Sequence, residues 1–118
     1  MKFRREWIES VVAKELADCQ HFENWHGITP QNLEKHLVLP PRSERFSISG
    51  SRALIGLWII IDELPADTQN GYLITFDPRE YKDNVECGGF GLASKRGRRR
   101  HGLYVGHYGS LSQTLGSM

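Results

Sequence analysis

The stretch from Ala53 to Ile61, ALIGLWIII, decides the fold class. It is an uninterrupted apolar run rich in β-branched residues, and its length is typical of a strand rather than a helix. A strand that carries apolar side chains at both alternating positions is buried on both faces. We therefore expect a central strand here, and the other elements are predicted outward from it.

Turn signals divide the flanking sequence into further strands. Gly50 and Ser51 precede the central strand, and Asn70-Gly71, a strong hairpin signal, follows it. Between such signals the apolar residues either alternate or run together, as they do in strands. The predicted strands are ERFSIS (44–49), ALIGLWIII (53–61), YLITF (72–76), ECGGFGLA (86–93) and HGLYVGHY (101–108).

Helices are predicted at both ends of the chain. In the first segment apolar residues recur at spacings of three and four, which is the helical period. A second helix is expected in ITPQNLEKHL (28–37), with Thr29 as N-cap and Pro30 at the first helical position, ending before Pro40. Ser110, with Gln113 three residues on, forms a capping-box pattern that opens a short final helix.

The predicted order is α-α-β-β-β-β-β-α, which is an α+β fold in one domain, residues 1–118, with helices against one face of an antiparallel sheet of about five strands. The first helix and the central strand should share a core with one face of YLITF. The expected core residues outside the central strand are Trp7, Ile8, Val11, Val12, Leu16, Tyr72, Ile74 and Phe76.

Composition favours a cytosolic location. The sequence contains no long apolar run and no signal-peptide pattern, and its two cysteines, Cys19 and Cys87, are too few for a disulfide framework. Both thiols are expected to stay free in a reducing compartment.

Cations are concentrated in one loop, at Lys95, Arg96, Arg98, Arg99 and Arg100. The formal charge is +1, so the chain carries −4 outside these five residues. Nucleic-acid-binding domains usually spread cations over a face and have a pI above about 9, whereas this chain has a pI of 7.8. The loop is thus expected to be solvated or to face a protein, and RNA or DNA binding is kept as the alternative.

The opposite connection is acidic, with Asp77, Glu80, Asp83 and Glu86. In a meander, alternate connections leave the sheet at the same end. This places Asp62, Glu63 and Asp67 near the basic loop and the acidic connection at the other end. The carboxylates are expected to form a solvated rim.

Sequence patterns for catalysis or cofactor binding are weak. Gly89-Phe90-Gly91 matches part of an RNA-recognition signature, but the cation and the second aromatic residue are missing, so Phe90 is predicted to lie in the core. The glycines are interpreted as a bulge or a close backbone approach. The histidines and cysteines lack paired metal-ligand spacing. We therefore expect no enzymatic activity, no metal and no cofactor.

Three segments taken together resemble the strand-rich half of bacterial immunity proteins from contact-dependent growth inhibition and related polymorphic toxin systems. They are GLWIIIDELPADTQNGYLITFD, GGFGLAS and GLYVGHYGSLSQTLGSM, and they cover roughly residues 53 to 118. The SUKH immunity superfamily is a near competitor.

The resemblance implies a cytosolic protein that binds a cognate toxin domain, in many such systems a nuclease, without a cofactor. A nuclease cleft is cationic, so the acidic connection is the favoured partner-binding surface and the basic loop the second candidate.

Overall fold

The computed structural model describes residues 4–19, 22–48, 52–64, 68, 70–81, 89–95 and 101–118. Within these residues the fold is α+β. It contains two α-helices, one 3-10 helix and five strands. In chain order they are α1 (Arg5–Asp18), the 3-10 helix (Leu33–His36), β1 (Leu37–Ile48), β2 (Leu54–Asp62), β3 (Tyr72–Phe76), β4 (Phe90–Ser94), β5 (Gly102–Tyr108) and α2 (Leu111–Gly116).

The five strands form a closed barrel in the order β1-β2-β3-β4-β5. Consecutive strands pair antiparallel, as the sequence predicts. The barrel closes by a parallel pairing of β1 with β5, in which Phe46 lies opposite Gly102. The predicted meander is therefore curved until its two edge strands meet, over the three residue pairs from Phe46–Gly102 to Ile48–Tyr104.

Two hydrophobic clusters lie on the two sides of the barrel wall. Outside the wall, α1 and α2 pack against outward-facing residues such as Ile74, Phe76 and Phe90. Inside it, Phe46, Leu57, Ile59, Leu73 and Ala93 form a second cluster. The central strand is thus buried on both faces, as predicted. Phe90 is confirmed as a core residue.

The first and last helices agree with their sequence signals. Ile8, Val11 and Val12 are the buried stripe of α1. Trp7 is 39% exposed but keeps contact with the core, because its ring lies 6.0 Å from that of Phe76. At α2, Ser110 Oγ accepts a hydrogen bond from the Gln113 backbone N–H at 3.2 Å, which confirms the cap.

The prediction of a second N-terminal helix over 28–37 is wrong. The side chain of Asn32 accepts from the Thr29 N–H at 2.7 Å and donates to the Gly27 carbonyl at 2.8 Å. Such local bonds compete with helical ones. The segment therefore forms turns and the short 3-10 helix.

The first strand begins earlier than predicted, at Leu37 rather than Glu44. Leu37 pairs with Ile61, and this long-range pairing extends the strand through Pro40 and Pro41. The register of β1 shifts between Leu37 and Arg42, so the prolines lie at an irregularity of the ladder, where the loss of an N–H donor is tolerated.

A buried ion pair lies at one end of the barrel. Lys95 is 3% exposed, and its ammonium donates to the Asp62 carboxylate and, at 3.1 Å, to the Leu64 carbonyl. Asp62 therefore lies beside Lys95, the first cation of the predicted basic loop, whereas the arginines of that loop are outside the described residues. We call this end the paired end, and the opposite end, where β3 finishes and β4 starts, the open end.

Candidate functional site

A cavity of about 320 Å³ lies at the open end of the barrel. Its wall combines apolar side chains with a few polar ones, which is the composition of most ligand pockets. The lining residues are Ile55, Leu57, Thr75, Asp77, Glu80, Gly89, Phe90, Gly91, Tyr104 and His107.

Strand register places the polar groups of the cavity. Thr75 of β3 pairs with Gly91 of β4, and Gly91 pairs with His107 of β5, so one row crosses three strands. A Cβ on Gly91 would lie 2.6 Å from Tyr104 Cε2 and 2.7 Å from Thr75 Oγ1. The missing side chain at Gly91 is therefore what allows the threonine hydroxyl and the tyrosine ring to face each other across the barrel. Of the glycines expected to allow a close approach, Gly91 is approached by side chains and Gly89 by Tyr81, whereas Gly88 lies outside the described residues.

Thr75 places a buried hydroxyl group in the wall of the cavity. Thr75 is 1% exposed, and its Oγ1 has no hydrogen-bond partner among the described residues. Leaving a buried hydroxyl unpaired costs about 1–3 kcal/mol. Such a group in a cavity wall indicates a position where the fold is not optimised for its own stability.

Tyr104 carries a phenol whose ionisation is suppressed. Burial, together with the negative charges of Asp77 and Glu80, raises the pKa of Tyr104 to about 12. The hydroxyl is therefore neutral at physiological pH and can donate or accept a hydrogen bond.

The carboxylates at the mouth differ in their pairing. Asp77 accepts from the Arg79 side chain at 2.9 Å and 3.1 Å and from the Arg79 backbone N–H at 3.0 Å. The hydrogen bond and charge of Asp77 raise the pKa of Arg79 in turn. Glu80 is exposed. We call these two residues the carboxylate rim; Asp77 is its anchored member and Glu80 its solvent-facing one.

The structure brings together two of the predicted partner-binding residues, Asp77 and Glu80, at the cavity mouth. Asp83 and Glu86 lie outside the described residues, as do Arg96, Arg98, Arg99 and Arg100 of the second candidate surface. Lys95, the remaining member of that surface, is buried and ion-paired. Its ammonium is therefore withdrawn from any surface patch.

The sequence patterns did not indicate a site at Thr75, Gly91, Tyr104 or His107. The available signal was strand alternation, since Thr75 is the polar residue on the face of β3 that also carries Leu73. That signal identifies an inward threonine but not what it faces. The pairing across three strands supplies the rest.

The described residues contain no group of three or more histidine, cysteine or acidic side chains that could hold a metal ion. None of their helices is long and apolar enough to cross a membrane. Comparison with protein-family models, with curated proteins and with solved structures found no match. The cavity and its rim are therefore the basis for a functional proposal.

Proposed function

We propose that this protein is an inhibitor of the immunity type, which binds a cognate toxin domain through the open end of the barrel. The observation that carries the proposal is the carboxylate rim at the mouth of the cavity. Asp77 is held in place by Arg79, and Glu80 is exposed beside it. The exposed carboxylate of Glu80 at this mouth suits a cationic protein surface such as a nuclease cleft.

The charge distribution supports the choice of this end. Lys95, the first cation of the basic loop, is ion-paired with Asp62 at the paired end. A phosphate-binding surface needs several accessible cations, because each neutralised phosphate contributes to affinity. Glu80 instead places an accessible negative charge beside an apolar cavity, and protein interfaces use both features for specificity and affinity.

The test is a protection assay with the toxin domain whose gene neighbours the gene for this chain. Cells that express the toxin should survive with the wild-type protein and die with Glu80→Lys. The matched control is Glu34→Lys, which reverses an exposed carboxylate that does not line the cavity. This control should protect like the wild type.

Affinity measured on purified proteins gives a second readout. Glu80→Lys should slow association and weaken its salt dependence, as expected for a charge at an interface rim. Two results would contradict the proposal: full protection by Glu80→Lys, or a gene neighbourhood without a toxin. Nanomolar binding of mixed oligonucleotides with a steep salt dependence would favour the nucleic-acid alternative.

A further inference from the structure

The inner part of the cavity contains a buried hydroxyl group that a partner bound only to the rim would not contact. Thr75 lies two residues further into the barrel than Asp77, and its hydroxyl lacks a partner among the described residues. The Tyr104 hydroxyl oxygen lies 3.0 Å from the place that a Cβ on Gly91 would take, and Thr75 Oγ1 lies 2.7 Å from the same place. Both hydroxyl oxygens therefore lie close to the backbone of Gly91, on one part of the cavity wall.

Charge and wall composition restrict which chemical groups the cavity can bind. The exposed carboxylate of Glu80 at the cavity mouth disfavours an anion. A purely apolar group would leave the Thr75 hydroxyl unpaired and would gain nothing from the rim. The walls contributed by Ile55 and Leu57 are apolar. The group that fits is a hydrogen-bond donor with positive charge on an apolar stem.

Two protein side chains meet that description, and the arrangement of acceptors favours one of them. An ammonium is a compact, strongly hydrated point charge, so its desolvation is costly. A guanidinium is more weakly hydrated and directs five N–H donors outward in one plane. Acceptors stand on different strands here, with Thr75 on β3 and Tyr104 on β5. A planar fork of donors can reach several such acceptors together.

We propose that the cavity is a receptor for an arginine side chain of the protein partner, with the guanidinium at the Thr75 and Tyr104 hydroxyls and the stem between Ile55 and Leu57. This inference depends on the proposed function only for the origin of the arginine. It also accounts for the unpaired hydroxyl, because a group that weakens the free fold gains its partner in the complex.

The test uses small probes and needs no toxin. The ¹⁵N-labelled protein is titrated with N-acetyl-L-arginine N-methylamide and with the citrulline counterpart, which has nearly the same shape but no charge. Amide shifts should concentrate at Thr75, Gly91 and Tyr104. The arginine probe should bind about tenfold more tightly than the citrulline probe or better, since hydrogen bonds to charged groups are stronger than neutral ones. The lysine counterpart should bind more weakly than arginine.

Variants at Thr75 separate recognition from folding. Thr75→Val keeps the shape and removes the hydroxyl, so it should lose about tenfold in affinity for the arginine probe while its melting temperature does not fall. Thr75→Ser restores the hydroxyl and should restore binding. Equal binding of the arginine and citrulline probes, equal binding of the lysine probe, or unchanged affinity in Thr75→Val would each overturn the inference. If the probes fail but Glu80→Lys still abolishes protection, the inference is wrong and the proposed function stands.

Discussion

Thr75 and Gly91 are strand partners, and a Cβ added at position 91 would lie only 2.7 Å from the Thr75 hydroxyl oxygen. Gly91→Ala therefore overpacks the cavity wall and must displace Thr75 or the Tyr104 ring. We expect a loss of about 1–3 kcal/mol in the free energy of unfolding, measured by urea denaturation.

Gly56→Ala is the matched control for this substitution. Gly56 also lies within a strand, but an added Cβ there would meet no heavy atom of the described residues within 4 Å. This variant should be neutral or slightly more stable, because alanine loses less backbone entropy on folding. Equal losses in the two variants would show that strand propensity, rather than contact with Thr75, decides the cost.

Thr75→Val should stabilise the protein. Valine fills the same space, and the substitution removes a buried hydroxyl that has no partner among the described residues. The expected gain is about 1 kcal/mol or more in the free energy of unfolding, with Thr75→Ser close to the wild type. A clear loss of stability in Thr75→Val would mean that the hydroxyl is hydrogen-bonded in solution.

The elements that were predicted correctly have local signals. In α1 the buried stripe of Ile8, Val11 and Val12 follows the helical period, and the start of α2 follows the bond between Ser110 and Gln113. The central strand was recognisable because no surface helix has so continuous an apolar run. These features depend on residues a few positions apart, which a sequence displays directly.

Two of the errors arise where distant residues decide the conformation. Closure of the barrel depends on Phe46 lying opposite Gly102, and nothing local to either residue announces that pairing. The early start of β1 depends on Ile61, which pairs with Leu37. The cavity depends on closure, so its inner residues could not be found. Asp77 and Glu80 were predicted because a cluster of charge in a connection is visible without the fold.

Substitutions in β2 test whether both hydrophobic clusters stabilise the fold. Ile59 lies inside the barrel, and Ile60 lies in the cluster between the barrel wall and the helices; both are almost completely buried. Ile59→Ala and Ile60→Ala should each cost about 2–5 kcal/mol in chemical denaturation. Leu54→Ala, at a residue of the same strand that is 42% exposed, should cost far less. A loss below about 1 kcal/mol at both isoleucines would show that the strand is peripheral.

Lys95 should contribute to stability rather than to ligand binding. Lys95→Met leaves the Asp62 carboxylate without its ammonium partner inside the paired end, so a loss of about 3–5 kcal/mol is expected. Replacing both residues, as Lys95→Met with Asp62→Leu, should recover most of that loss, because a hydrophobic pair removes the unpaired buried charge. Lys35→Met serves as the exposed control. If the double variant is no more stable than Lys95→Met, the unpaired Asp62 carboxylate is not the cause of the loss.

The pKa of Tyr104 is raised by burial and, to a smaller extent, by the carboxylates of the rim. It is about 12 in the folded protein against an ordinary value of 10.0, with burial as the largest cause and the charge of Asp77 and then Glu80 adding to it. The folded state therefore holds the phenolic proton more tightly than the unfolded state does. Stability from this group is fully present below pH 10 and is lost as the pH rises toward 12.

Two variants test the effect of Tyr104 on alkaline stability and the effect of Glu80 on the pKa of Tyr104. Tyr104→Phe should remove this part of the alkaline loss of stability, measured as the free energy of unfolding against pH. Glu80→Gln should lower the pKa of Tyr104, followed by NMR of the ring carbon that bears the hydroxyl, because one of the charges that oppose ionisation is gone. Glu34→Gln, which does not line the cavity, should leave it unchanged. If Glu80→Gln also leaves it unchanged, the rim does not act on the interior of the cavity, and an arginine there would lack the stabilising charge of Glu80.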